Sequence, residues 1–295
     1  GDYLTAIGRQ ALYNNTTADY NTAVGYQAGY NNSTGAQNTF IGRVAGYNVR
    51  GSNSVAVGSR ALYTPAINTN NPTQSNVAVG ESALILQNLT SGTIEYNTVL
   101  GTDTARNYQK TTGGFYNNTA VGNSSMDVFS QTTGTTDQNV SVGMDALRLN
   151  AVTTGNVSYN VAIGNEALQA ASTTTANTYY NTAVGRRALK DNNGGAYNTA
   201  LGSSALENNT EASRNTAVGY QAGYSNTTGG AGVFVGYRAG WNSTGALACF
   251  VGDNAGQNST GTSNTLIGQQ AGFLVTSGAG NTVIGRYSGN QGGLD

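Results

Sequence analysis

Asn21-Thr22-Ala23-Val24-Gly25 recurs unchanged as Asn181 to Gly185 and as Asn215 to Gly219. Looser copies fill the rest of the chain, each built on an aliphatic residue followed by glycine. The glycines run Gly8, Gly25, Gly42, Gly58, Gly80, Gly101, Gly122, Gly143, Gly164, Gly185, Gly202, Gly219, Gly236, Gly252, Gly268 and Gly285. They stand 16 or 17 residues apart at both ends and 21 or 22 apart in the middle. Self-similarity at a near-fixed period signals a repeat architecture and takes precedence over local motifs. A unit of 17 residues is too short for a helical hairpin, which needs about 34. It fits one coil of a solenoid. The fold class is therefore all-β, a parallel β-solenoid of sixteen rungs with two short strands and two turns in each.

Counting from the glycine as zero, strand side chains alternate with period two, so positions -1 and -3 share one face and -2 takes the other. Position -1 is always aliphatic. It predicts an internal core of Val24, Ile41, Val57, Val79, Val121, Val142, Ile163, Val184, Val218, Val235, Val251, Ile267 and Ile284. Position -2 is mostly alanine and never charged. A strand apolar on both faces is buried on both. Its second face predicts a contact between identical chains through Ala23, Phe40, Ala56, Ala78, Ala120, Ala162, Ala183, Ala200, Ala217, Phe234 and Phe250. Alanine at +3 is the inward residue of the predicted second strand, whose +1 and +2 positions are polar and face water. Position +4 is glycine in some rungs, such as Gly29, and leucine in others, such as Leu84. Asparagine at -4 (Asn21, Asn38, Asn97, Asn118 and others) predicts an amide ladder through the turns.

The rung lengths divide a single solenoid, 1–295, into short rungs over 1–58, long rungs with loop insertions over 59–185, and short rungs over 186–295. The insertions include Lys110 to Gly114 and Gln131 to Gly134, and the only prolines, Pro65 and Pro72, stand where the long rungs begin. The chain opens inside a repeat and closes just after one. It therefore reads as a segment of a longer fibre, with further fibre segments at both ends, or as a product of processing.

Charged residues make up 9% of the chain and the net charge is -1, with no clustered basic stretch, which argues against a nucleic-acid partner. No run of 18 apolar residues occurs, so no membrane insertion by a helix is expected. There is no histidine and one cysteine, which argues against a transition-metal site. No catalytic residue, metal or cofactor is expected. A polysaccharide-cleaving tailspike would need paired carboxylates in a groove, whereas the 14 acidic residues here are scattered, with Asp103, Asp127 and Asp145 at differing offsets. Cys249 takes the -3 slot and reads as a buried thiol. Threonine ladders on flat solenoids can bind ice, but the threonines here share the predicted internal face, which argues against it.

The aromatics fall in rows, Tyr30, Tyr47, Tyr224 and Trp241 at +5, and Tyr26, Tyr220 and Tyr237 at +1. They are either surface contacts for a glycan or receptor, or a shield stacked rung on rung.

Asn53-Ser54-Val55-Ala56-Val57-Gly58, with a small residue at +3, resembles the head repeats of YadA-like trimeric autotransporter adhesins. The fuller form from Asn21 to Gly35, repeated from Asn215 to Gly229, resembles repeats of bacteriophage tail-fibre proteins. The resemblance implies a left-handed β-roll and a homotrimer packed along one axis. It also implies a structural or host-recognition role, on a phage tail fibre at the virion surface or, alternatively, in a bacterial adhesin or other extracellular filament. The partners it implies are identical chains and a host cell-surface receptor or glycan.

Overall fold

In a computed structural model of the chain, each aliphatic-glycine core forms a three-residue strand. The residues described are 1–64, 73–87, 91–107, 112–128, 133–149, 154–169 and 178–289. The two prolines and the insertion residues 110–111 and 131–132 lie outside them. Among the described residues no helix forms. The chain divides into two compact units, the described residues of 1–159 and those from Asn160 onward. The first stacks Thr5–Ile7, Thr22–Val24, Thr39–Ile41, Val55–Val57, Val77–Val79, Thr98–Leu100, Thr119–Val121 and Val140–Val142 as one parallel sheet, equivalent positions side by side. The second stacks Val161–Ile163, Thr182–Val184, Thr199–Leu201, Thr216–Val218, Val233–Val235, Cys249–Val251, Thr265–Ile267 and Thr282–Ile284 in the same way. Both units are parallel β-solenoids.

The predicted second strand at +1 to +4 is absent. That stretch is a stack of tight turns. All sixteen +2 residues take a left-handed φ of 51° to 59°, and all sixteen +4 residues one of 50° to 71°. Left-handed φ costs a non-glycine residue roughly 1–2 kcal/mol. Bonds from rung to rung offset it, such as Val44 N to Tyr26 O at 2.8 Å and Leu62 N to Ala83 O at 2.8 Å. Only the long rungs carry a second strand, two residues long and before the asparagine. In the first unit Thr73–Gln74, Ile94–Glu95, Phe115–Tyr116, Thr136–Asp137 and Val157–Ser158 form a small parallel sheet.

The recurring glycine is where successive coils come closest. A methyl group on Gly25 would lie 2.4 Å from the carbonyl oxygen of Gly42, at φ 138°. Any side chain there would part the rungs, so the glycine is fixed by contact as well as by conformation. The amide ladder is present. Asn38 N donates to Asn21 Oδ1 at 2.9 Å, and Asn118 N to Asn97 Oδ1 at 3.0 Å. Most of the amide nitrogens reach a carbonyl of the following rung, as Asn97 Nδ2 does Phe115 O at 2.8 Å. Most of these buried side chains therefore have their hydrogen bonds made, the amide nitrogen of Asn215 being unpaired.

The two faces of the strand are reversed from expectation. Ala23, Phe40, Ala56, Ala78, Ala120, Ala162, Ala183, Ala200, Ala217, Phe234 and Phe250 are fully buried inside their own coils, and are not a surface awaiting a partner. The predicted core residues point outward. Ile41, Val79, Ile163 and Ile284 are exposed. Val24, Val57, Val121, Val142, Val184, Val218, Val235, Val251 and Ile267 are half-exposed. The reason is volume. The interior must also hold the alanine at +3, buried as expected in Ala28, Ala183's neighbour Ala188 and Ala239, and the residue at +4. A bore that narrow admits alanine at -2 and excludes a continuous column of valine and isoleucine.

The +4 residue completes the packing. Leucine occurs at +4 where -2 is small in its own rung and the next, as with Leu189 between Ala183 and Ala200. Glycine occurs where a larger side chain at -2 fills the space, a phenylalanine ring beside Gly29, Gly46, Gly223, Gly240 and Gly256, Leu266 beside Gly272 and Val283 beside Gly289. A methyl group on Gly46 would lie 2.2 Å from Phe40 Cδ1, and one on Gly29 2.7 Å from Phe40 Cδ2. The core thus exchanges bulk between the two sides of the coil at nearly constant volume, as close-packed interiors require.

Candidate functional site

Two surfaces stand out. The first is the outward face of the three-residue strands. Its -3 column is threonine or valine, with cysteine once at Cys249, and its -1 column is valine, isoleucine or leucine, without a charge in either. Thr199, Thr216, Val233, Leu201 and Ile284 are exposed on it in the second unit. Cys249 sits in the -3 column half-exposed, a correction of the expected buried thiol. The threonines are outward too, so the ground for setting ice binding aside does not hold. A run of regularly spaced, uncharged, aliphatic side chains in water is unusual for an isolated surface, where apolar residues normally stand singly.

Beyond this strand, position -5 also takes a left-handed φ in every rung, 53° to 70°. It presents tyrosines that the sequence reading did not single out. Tyr3 and Tyr20 stack at 4.9 Å, and Tyr180 and Tyr197 at 5.1 Å. Their constant offset from the glycine was a usable signal.

The second surface is the turn stack. Tyr13, Tyr30 and Tyr47 are nearly parallel, with centroids 5.2 Å apart at each step. Tyr63 follows at 5.6 Å but is tilted by 49°. Where the stack tilts, a groove of about 540 Å³ opens between Tyr26, Arg43, Tyr47, Arg60 and Tyr63. Partial burial of Tyr47, and then the neighbouring hydroxyls of Tyr30, Tyr63 and Tyr26, push its phenol up from the ordinary tyrosine value. It stays a protonated donor at neutral pH. In the second unit Tyr220 and Tyr237 stack at 5.5 Å, and Tyr224 and Trp241 at 6.2 Å. There Arg238 is taken up between Tyr237 and Trp241 and donates to Gln221 Oε1 at 2.9 Å. Stacking of the predicted aromatics is thus observed, and it leaves Tyr26, Tyr220 and Tyr237 exposed.

The carboxylates singled out in the long rungs are held by arginines. Arg106 reaches Asp103 at 2.8 Å and Asp127 at 2.7 Å, and Arg148 reaches Asp145 at 3.0 Å. Asp127 is wholly buried, and burial outweighs its bond to Arg106, pushing its carboxyl up to about 6. The folded chain therefore holds this proton more tightly than the unfolded chain between about pH 4 and 6. The contribution of Asp127 to stability is fully present below that window and is lost, by about 3 kcal/mol, as pH rises through it. Melting curves from pH 4 to 7 are expected to show this slope in the natural chain and to lose it in Asp127→Asn. The same slope in both would assign it to other groups.

Compared with known proteins, the chain matches no family model, no curated protein and no solved structure.

Proposed function

We propose that this chain is a non-enzymatic segment of a homotrimeric fibre, shaft or head, of a bacteriophage tail or virion, where it serves as a stiff spacer and a surface for host recognition. The observation that carries the reading is the charge-free aliphatic face turned outward on a single chain. Covering a half-exposed valine or isoleucine is worth on the order of 1 kcal/mol. A column with one in each rung gives roughly 15 kcal/mol per chain, enough to exceed an association cost of about 4–15 kcal/mol. Small exposed threonines beside the aliphatics let such faces approach closely. The likeness of Asn53 to Gly58 to YadA-like head repeats, and of Asn21 to Gly35 to phage fibre repeats, supports three chains around one axis in a left-handed roll. A bacterial adhesin or other extracellular filament would use the same face in the same way.

The outward threonine columns favour one other reading, an ice-binding surface, because rungs about 4.8 Å apart repeat a hydroxyl and a methyl group at a regular spacing. The two readings need opposite states of one face. Native mass spectrometry is expected to give a trimer, with no thermal hysteresis in the same sample. A stable monomer would overturn the fibre reading, and a monomer showing hysteresis would replace it with the second.

A further inference from the structure

The arginines of the turn stack are engaged almost wherever a carboxylate is near. Arg187 reaches Glu166 at 2.8 Å, and Arg106 and Arg148 are paired as described. Arg43 and Arg60 form no such pair, and neither do Arg9, Arg186 and Arg286 among the described residues, but Arg43 and Arg60 line one groove together. Both are exposed, neither forms an ion pair among the described residues, and no acidic residue lines the groove between them. They belong to neighbouring rungs, since Arg60 N donates to Arg43 O at 2.9 Å. Their backbones thus stand about one rung spacing apart, roughly 4.8 Å, and both side chains line the same groove. Beside them Tyr26 is exposed and the rings of Tyr47 and Tyr63 are tilted apart. The cavity of about 540 Å³ falls within the roughly 300–1,000 Å³ typical of ligand sites.

We infer that the Arg43–Arg60 groove is a binding site for an acidic saccharide, with the two guanidinium groups taking sugar carboxylates and the tyrosine rings packing on the apolar faces of the sugar. A guanidinium presents two parallel N–H donors that match a carboxylate. An aromatic ring supplies flat apolar area with a hydroxyl at its edge, which suits a sugar ring that is apolar on its faces and polar around its rim. Uncompensated cations at a groove with no acidic lining concentrate anions and disfavour neutral glycans by comparison. This specifies a ligand class for the recognition role proposed above and rests on that role only for its biological setting.

The test uses the whole chain and four probes, oligogalacturonate, dextran sulfate oligosaccharide, neutral dextran oligosaccharide and inorganic phosphate, with binding read by calorimetry at low salt. Two charge-matched variants are compared, Arg43→Gln with Arg60→Gln, and Arg214→Gln with Arg286→Gln. The repeat itself places glutamine at each of these offsets, in Gln269, Gln270 and Gln37, so both variants keep the fold. Oligogalacturonate is expected to bind and dextran not to. The Arg43/Arg60 variant should weaken binding by roughly tenfold for each arginine removed, and the Arg214/Arg286 variant should change it by less than twofold. Equal loss in both variants would mean diffuse charge attraction and overturn the site. So would equal binding of dextran, binding of the sulfated probe or phosphate alone, or no binding of any probe. Native mass spectrometry of the Arg43/Arg60 variant reads assembly separately, so a failed site leaves the fibre reading to stand or fall by itself.

Discussion

Lysine at position 217 is expected to unfold the second unit, while lysine at position 218, one residue along, is expected to leave it folded and abolish assembly. Ala217 is fully buried in its coil, with Ala200 on one side and Phe234 on the other. There is no room for a lysine stem and no carboxylate to meet its charge. Burying an unpaired ammonium costs several kcal/mol even after relaxation, comparable to the whole stability of a typical domain. Val218 is half-exposed on the outward face. A lysine there loses less than about 1 kcal/mol of strand preference and keeps its charge in water on a lone chain. In a trimer packed on that face, three such charges would be confined together away from solvent. Circular dichroism should therefore show a folded Val218→Lys chain with a near-normal melting point, and native mass spectrometry should show it as a monomer. Ala217→Lys should show no cooperative transition. A folded Ala217→Lys chain would reverse the assignment of the two faces. A trimeric Val218→Lys chain would remove the outward face as the seam between subunits.

That contrast turns on the one feature that the pattern of residues left ambiguous. The period, the strand, the buried +3 alanine and the asparagine ladder were all legible, because each is imposed by a local contact that repeats in every rung. Gly25 cannot be anything else beneath the carbonyl of Gly42, and Asn97 has a fixed acceptor in Phe115 O. Which face points inward is a different kind of question. Alternation separates two columns but does not orient them, and here both columns are apolar. Choosing the bulkier column as the core follows the usual preference of valine and isoleucine for interiors, and it fails because this bore is too narrow for them. The missing second strand has a related cause. Left-handed residues are ordinarily announced by glycine or asparagine, yet Gln27, Arg60 and Leu189 adopt that conformation here with φ between 51° and 57°. Hydrogen bonding between stacked coils imposes it, and no single rung reveals it. The groove between Arg43 and Arg60 was invisible for the same reason. Arg43 stands at +1 and Arg60 at +2 of the following rung, so no one repeat unit contains both.

Phe40→Ala alone, Gly29→Leu with Gly46→Leu alone, and all three together are expected to destabilise the first unit strongly, strongly and hardly at all. Phe40 is fully buried and is the one phenylalanine at -2 among the short rungs before Gly58. Truncating it leaves a cavity and costs about 3–5 kcal/mol. Leucine at 29 or 46 with Phe40 present collides with the ring, since even a methyl group would approach it to 2.7 Å or 2.2 Å. Overpacking of this kind costs about 1–3 kcal/mol for each substitution. With the ring gone, the two leucines would occupy the place that Leu12 and Leu62 hold in the flanking rungs. They need no new backbone conformation, because Leu12 and Leu62 sit at φ 50° and 51° against 61° and 60° for Gly29 and Gly46. The triple variant would then reproduce the alanine-and-leucine packing found from Ala56 to Leu62. Urea denaturation should give a coupling energy of several kcal/mol between position 40 and the pair 29 and 46, far above the few tenths expected of independent sites. Additive losses would mean that the exchange of bulk between -2 and +4 is a coincidence of composition and not the rule by which successive coils fill their shared interior.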